Sequence, residues 1–169
     1  MTDHQDQGWA WEVAGNAAEV HALLEASDLA HRENGPVPQR NWTATQKLVE
    51  SGCVHLLRYQ RSPAAMFTIT ESPPFDTRGA GFEPARTPRY LQRLAVDPVL
   101  VGRLGPFPAM SAIRKLMEVA SRQGADAVRS EANPDIVQVV RLLTAMGFRE
   151  RARSVGPEGR PRVYLELLL

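Results

Sequence analysis

Cysteine is almost missing from this chain: Cys53 stands alone among 169 residues. That excludes an internal disulfide and any zinc site built from several thiolates, and leaves Cys53 the ordinary role of a small buried apolar residue. Lysine is nearly as scarce, with Lys47 and Lys115 the two exceptions among 20 basic residues that are otherwise arginine. Arginine forks suit phosphate and carboxylate recognition, although most of so many are expected to be solvated. Neither sign of charge is in excess, since 19 acidic residues leave a formal net charge of +1. Nucleic acid is therefore not an expected partner, because its binding surface needs a clustered basic excess. His4, His21, His31 and His55 have no metal-ligand spacing, and no His-Glu-x-x-His pattern occurs, so no metal is expected. No apolar run approaches the roughly 20 residues that span a bilayer, and the opening MTDHQDQGW is polar rather than signal-like. These absences leave a soluble cytoplasmic protein as the expectation, with residues 1–8 a polar tail and 9–169 one domain with a full core.

What is present is punctuated periodicity. A short strand is expected at Trp9–Val13, and Asn16-x-x-Glu19 reads as a helix N-cap with a supporting acid. Val20, Leu23, Leu24 and Ala26 give the helix its apolar side, and Asn34-Gly35-Pro36 ends it. Thr43-x-x-Gln46 reads as a second capping box, opening a short helix closed by Gly52. Val54–Tyr59 and Ala64–Thr70 are β-rich runs around Arg61-Ser62-Pro63, and read as a hairpin. Residues 71–89 hold four prolines and two glycines without period, which predicts a long loop. Tyr90–Val96 predicts a strand, Ala109–Ala120 a helix stopped by Gly124, and Ala127–Ala132 a further strand. Asn133-Pro134-Asp135 opens a helix with Ile136, Val139, Val140, Leu143 and Met146 on one side, ended by Gly147-Phe148. Two last strands, Arg149–Val155 and Arg162–Leu168, flank a turn at 156–159. The terminal YLELLL is apolar enough for a central strand, since an exposed apolar edge invites aggregation.

One stretch, VDPVLVGRLGPFPAM at 96–110, joins a strand end, a glycine-containing turn and a helix start. Such a junction aims backbone N–H groups and a helix dipole at one anion, but Pro106 and Pro108 carry no N–H.

The ordered set YLQRLAVDP, a glycine-containing turn, a helix ending RQGAD, the strand AVRSEAN, a helix ending AMGFRER and the terminal VYLELLL resembles the GNAT N-acetyltransferase superfamily. The resemblance covers about residues 90–169. It implies an α/β fold of the α+β type: one GNAT-like domain, a mixed, mostly antiparallel sheet of about seven strands, and about four flanking helices. It implies acetyl-CoA as cosubstrate, lying where strands 90–96 and 127–132 splay apart. The backbone of Leu94, Ala95 and Val96 would accompany the pantetheine arm, and Val101, Gly102, Arg103, Leu104 and Gly105 would form the pyrophosphate turn. Asn133 would be a ligand contact or merely an N-cap. The implied chemistry is attack of a primary amine on the acetyl carbonyl, helped by positioning, oxyanion stabilisation and proton removal. Base candidates are Tyr90 and Glu131, with Glu71 a third at the start of the long loop. Arg114 and Lys115 are within reach of a CoA phosphate or are plain surface charges.

The chain departs from that family in two places. The family turn runs Arg/Gln-x-x-Gly-x-Gly/Ala; aligned on VDP, this chain has Val101, Leu104 and Pro106 at the defined positions. Leu104 would crowd a phosphate and Pro106 removes a donor. Many members place an acid tyrosine four residues before the glycine of GF; here that residue is Leu143, which reads as core. Three functions follow: an N-acetyltransferase acting on a small-molecule or protein amine, a GNAT-fold protein that has lost catalysis and serves as an acyl-CoA sensor or partner-binding domain, or an acyltransferase for a bulkier acyl-CoA. Each suits a monomer or a homodimer.

Overall fold

Short polar side chains open three of the helices. In the computed structural model, which describes residues 8–169, Asn16 Oδ1 accepts from the amides of Ala18 (2.9 Å) and Glu19 (3.3 Å) and starts α1, Ala17–Ala30. The polar tail expected over 1–8 lies almost wholly outside the described residues. Asn41 Oδ1 accepts from Ala44 N at 3.0 Å and starts α2, Trp42–Glu50. The second cap is therefore Asn41, not Thr43, in keeping with asparagine's stronger preference for that place. Gly52, at φ 73°, closes α2 as expected.

The chain divides into two units: residues up to Thr68 with Arg93–Ala112, and Ile69–Gln92 with Ile113–Leu169. In the first, β1 (Trp9–Val13) runs antiparallel to β2 (Val54–Tyr59), which runs antiparallel to β3 (Ser62–Thr70). The β2–β3 hairpin is tighter than the composition predicts. Gln60 and Arg61 both have positive φ, 48° and 72°, as a two-residue turn of right-handed strands demands. Val20, Leu23 and Leu24 of α1 meet Val49, Val54, Leu56, Met66 and Ala95 in one apolar core, while Ala26 is exposed. Cys53 is half-buried rather than core, with the Ser51 hydroxyl donating to its sulfur at 3.3 Å.

The stretch expected as a glycine turn is mostly helix. Asp97 Oδ1 accepts from Val99 N at 2.9 Å, Pro98 takes the first helical position, and α3 spans Pro98–Leu104. Gly105, at φ 62°, ends it. The next helix, α4, spans Phe107–Arg122 and begins two residues before the predicted start.

In the second unit, the first residues of β4 (Pro88–Val96) run parallel to β5 (Ala127–Ala132). β7 (Pro161–Leu168) pairs antiparallel with β5 on one side and β6 (Arg149–Val155) on the other. The apolar terminal run is thus an internal strand, with Val163, Tyr164 and Leu165 buried. α5 covers Val137–Ala145 and buries Leu143 as expected. Its N-cap is Ile136, without a side-chain bond, whereas Asn133 Oδ1 accepts from Asp135 N at 2.9 Å in a turn before the helix. Among the described residues the strand order is β1-β2-β3-β4-β5-β7-β6, a seven-stranded and mostly antiparallel sheet with five α-helices.

The long connection, residues 71–87, is firmly attached. Arg86 N and Thr87 N donate to the Asp126 carboxylate at 2.6 and 3.0 Å, and Glu83 N donates to Glu166 Oε2 at 3.1 Å. Phe75 and Phe82 set their rings against Tyr164 at 6.0 Å each, and Phe75 also meets Tyr90 at 5.9 Å.

Candidate functional site

The β4/β5 ladder is short. Its register runs from Pro88↔Ala127 to Leu91↔Ser130 and stops, although β5 continues to Ala132 and β4 to Val96. Two residues past the last pair, Arg93 has φ 56° in the interior of a strand. A non-glycine residue in the left-handed region bends the strand and breaks its ladder, and such places concentrate at functional sites. Beyond the bend, Ala95 is buried in the first unit's core. Val96 N donates to Ser27 Oγ at 3.4 Å, and Asp97 N donates to Ala64 O at 2.8 Å.

The residues expected to cradle a pyrophosphate lie in the last turn of α3 and at its cap. Val101 N donates to Asp97 O (3.1 Å) and Gly105 N to Val101 O (2.9 Å), so two of the expected amide donors are spent inside the helix. Val101, Gly102, Arg103 and Leu104 are all exposed. Free donors appear slightly further on. Met110 N reaches Pro106 O at 2.9 Å, while the amides of Phe107 and Ala109, in the first turn of α4, have no acceptor among the described residues. Sequence reasoning missed them because it started the helix at Ala109.

Tyr90 and Glu131 have different surroundings. Tyr90 is buried, its hydroxyl 3.4 Å from Arg129 Nη1 and its ring beside Phe75. Glu131 is the first β5 residue past the ladder, half-buried, and paired with Arg162 Nε at 2.9 Å. Desolvation raises its pKa above the usual glutamate value of 4.5, and the pull of Arg162 only partly opposes that. A carboxylate raised in this way makes a better proton acceptor. Glu71 is exposed beside Arg89 at 3.3 Å, Arg114 is exposed, and Lys115 is paired with Glu118 at 3.2 Å.

Sequence reasoning also missed two polar clusters. In the first unit, Arg93 Nη1 donates to Thr45 Oγ1 (3.0 Å), which also meets His21 Nδ1 (3.2 Å) and donates to Asn41 O (3.3 Å). In the second, Glu166 is buried between two guanidinium groups, Arg129 Nε and Arg151 Nε, each at 2.9 Å. No signal in the sequence distinguishes these arginines from solvated ones.

Among solved structures the chain resembles an acetyltransferase of the GNAT family from Streptococcus agalactiae, at TM-score 0.79 and 12% identity over 96% of both chains. It resembles Ard1 from Thermoplasma volcanium at TM-score 0.74 and 10% identity, over 96% of this chain and 98% of that one. A putative acetyltransferase from Salmonella typhimurium, solved with its cofactor acetyl-CoA, matches at TM-score 0.67 and 14% identity over 96% and 94%. No protein-family model and no curated protein matches the sequence. The chain has the GNAT acetyltransferase fold.

Proposed function

We propose that this chain, on the premise of that fold, transfers an acetyl group from acetyl-CoA to a primary amine by direct attack. The observation that carries this reading is the ladder that ends at Leu91↔Ser130, with left-handed Arg93 two residues on. A strand released from its neighbour can pair its backbone with an extended ligand, as an added strand would. Leu94, Ala95 and Val96 supply that backbone, less the Val96 amide already turned to Ser27. The phosphates lie at the start of α4, where the Phe107 and Ala109 amides and the helix dipole favour an anion. Arg103 is exposed in the preceding helix and adds positive charge. Val101, Gly102, Leu104 and Gly105 shape the approach rather than donate to it.

The chemistry is compact. The amine nitrogen attacks the acetyl carbonyl carbon, the C–N bond forms, the C–S bond breaks, and the thiolate takes up a proton. Glu131 receives the proton lost by the amine; its raised pKa suits that role. Tyr90 does not compete, because it is buried with its hydroxyl beside a guanidinium. The proton for the thiolate comes from water, since Leu143 is core. Asn133 is a turn residue.

Calorimetric titration with acetyl-CoA and with CoA tests this reading. Saturable binding followed by acetylation of members of an amine panel is expected. No binding at high ligand concentration ends the reading, and tight binding without turnover replaces it with a sensor.

A further inference from the structure

Arg93 bears two costs at once. Its backbone sits in the left-handed region at φ 56°, which a long side chain adopts only under constraint. Its guanidinium is half-buried, yet Nη1 has the Thr45 hydroxyl as its partner, and Nε and Nη2 have no acceptor among the described residues. The neighbouring carboxylate neutralises it only in part. Asp28 is gripped on both oxygens by Arg40, Nε to Oδ2 at 2.6 Å and Nη2 to Oδ1 at 2.7 Å. Burial, and then the field of Arg40, hold the Arg93 pKa below the usual arginine value, with Asp28 opposing them only in part. A half-buried cation with open donors is expensive unless something pairs with it. Thr45, itself fully buried, fixes one end of the fork and leaves the remaining donors to a ligand.

We infer that Arg93 is an anion subsite for the acceptor, so that the amine acetylated by this chain carries a carboxylate. The inference rests on the acetyltransferase reading and deepens it. A carboxylate accepts two parallel N–H bonds from a guanidinium fork, and Nε with Nη2 is the face of Arg93 left open. Dicationic amines such as agmatine are disfavoured here, because a second positive charge would face Arg93. The carboxylate comes from a free amino acid or from an acidic first residue of a peptide; both present the same group.

The test uses the full chain loaded with CoA. N-Acetylglycine, N-acetylglycinamide and the dipeptide amide N-acetyl-Asp-Ala-NH2 are titrated by NMR. We expect each carboxylate that reaches the subsite to bind at least about tenfold more tightly than the neutral amide, the scale of a charge-assisted pair. A preference for N-acetylglycine assigns the α-carboxylate, and one for the dipeptide amide assigns a side-chain carboxylate. Arg93→Gln should abolish the preference and Arg93→Lys keep part of it. Arg40→Gln, which frees Asp28 to pair with Arg93, should abolish it without touching Arg93. Equal affinity for acids and amide, undetectable binding of all three at millimolar ligand, or a preference that survives both glutamine variants overturns the inference. Failure of the acetyltransferase reading shows separately, as absent acetyl-CoA binding, and carboxylate selectivity found in that case leaves the subsite standing.

Discussion

Glu131 and Tyr90 stand in comparable places in the sequence, each on a strand near a suspected splay, and only their neighbours separate them. Glu131 meets one arginine and is half-desolvated; Tyr90 is enclosed by an aromatic ring and a guanidinium. Glu131→Gln should therefore lower kcat by about a hundredfold or more, the ordinary contribution of a general base, and leave acetyl-CoA affinity unchanged in a calorimetric titration. The wild-type rate should fall as pH drops through a pKa above the usual 4.5, because the base works ionised and burial raises that value. The stability sign runs the other way. A raised carboxyl pKa favours the fold below the unfolded value, and this contribution is lost as pH rises through the folded one. Tyr90→Phe should leave kcat within about twofold of wild type and cost about 1 kcal/mol in urea denaturation, the worth of one ordinary hydrogen bond. An unchanged rate in Glu131→Gln, or a collapse in Tyr90→Phe, would exchange their roles.

The elements divide by how local their causes are. Strands β1, β2, β5 and β6 were legible to the residue, because alternation and bounding turns are local signals, and Asn16 announced α1. The helix α3 was not read, although its evidence was complete: an aspartate cap, proline at the first position and glycine at the end. The two glycines of the stretch suggest a turn, and that reading hides Asp97, just past the predicted strand, as a helix cap. That displacement moves the expected anion site from α3 to the first turn of α4, where Pro106 precedes the free amides. Pro106→Gly adds one backbone donor there and should tighten CoA binding about tenfold, the worth of one hydrogen bond to a charged group at the lower end. A weaker or unchanged Kd by calorimetry would put the phosphates elsewhere.

The 71–87 connection was legible as a loop but not as an attached one. Its end is tied by Asp126, whose pKa is lowered first by the Arg86 amide, with the Thr87 amide adding to the effect. A lowered carboxyl pKa stabilises the fold above the unfolded value of about 3.8 and is lost as pH falls through the folded one. Asp126→Asn keeps one acceptor oxygen and cannot titrate, so the slope of Tm against pH below about 4 should be shallower than in wild type. An identical slope would mean that Asp126 does not carry this part of the acid response.

Over the whole molecule, the scarcity of lysine finds a physical use. Arg40 grips Asp28 on both oxygens, Arg58 reaches Glu12 and Glu19, Arg162 holds Glu131, and Arg129 and Arg151 enclose Glu166. These are directed, partly buried contacts that a lysine point charge would not reproduce, and composition alone had them mostly solvated. They escaped the sequence because a charged residue in a strand looks the same whether its partner is water or a residue dozens of positions away. Glu166 is the strongest case. Its side chain is wholly buried, it accepts from both guanidinium groups, and it accepts the Glu83 amide from the connection. Glu166→Ala takes the shared carboxylate from two largely enclosed arginines, leaving Arg151 only the exposed Glu83 carboxylate at 3.0 Å, and should cost about 3–5 kcal/mol in urea unfolding. Replacing the set together, with Arg129→Met, Glu166→Leu and Arg151→Met, removes the uncompensated charge and should recover most of that loss. It does not restore the acceptor for Glu83 N, so limited proteolysis within 71–87 should remain faster than in wild type even where global stability returns. Recovered stability with wild-type protection would mean that the aromatic contacts of Phe75 and Phe82 hold the connection by themselves.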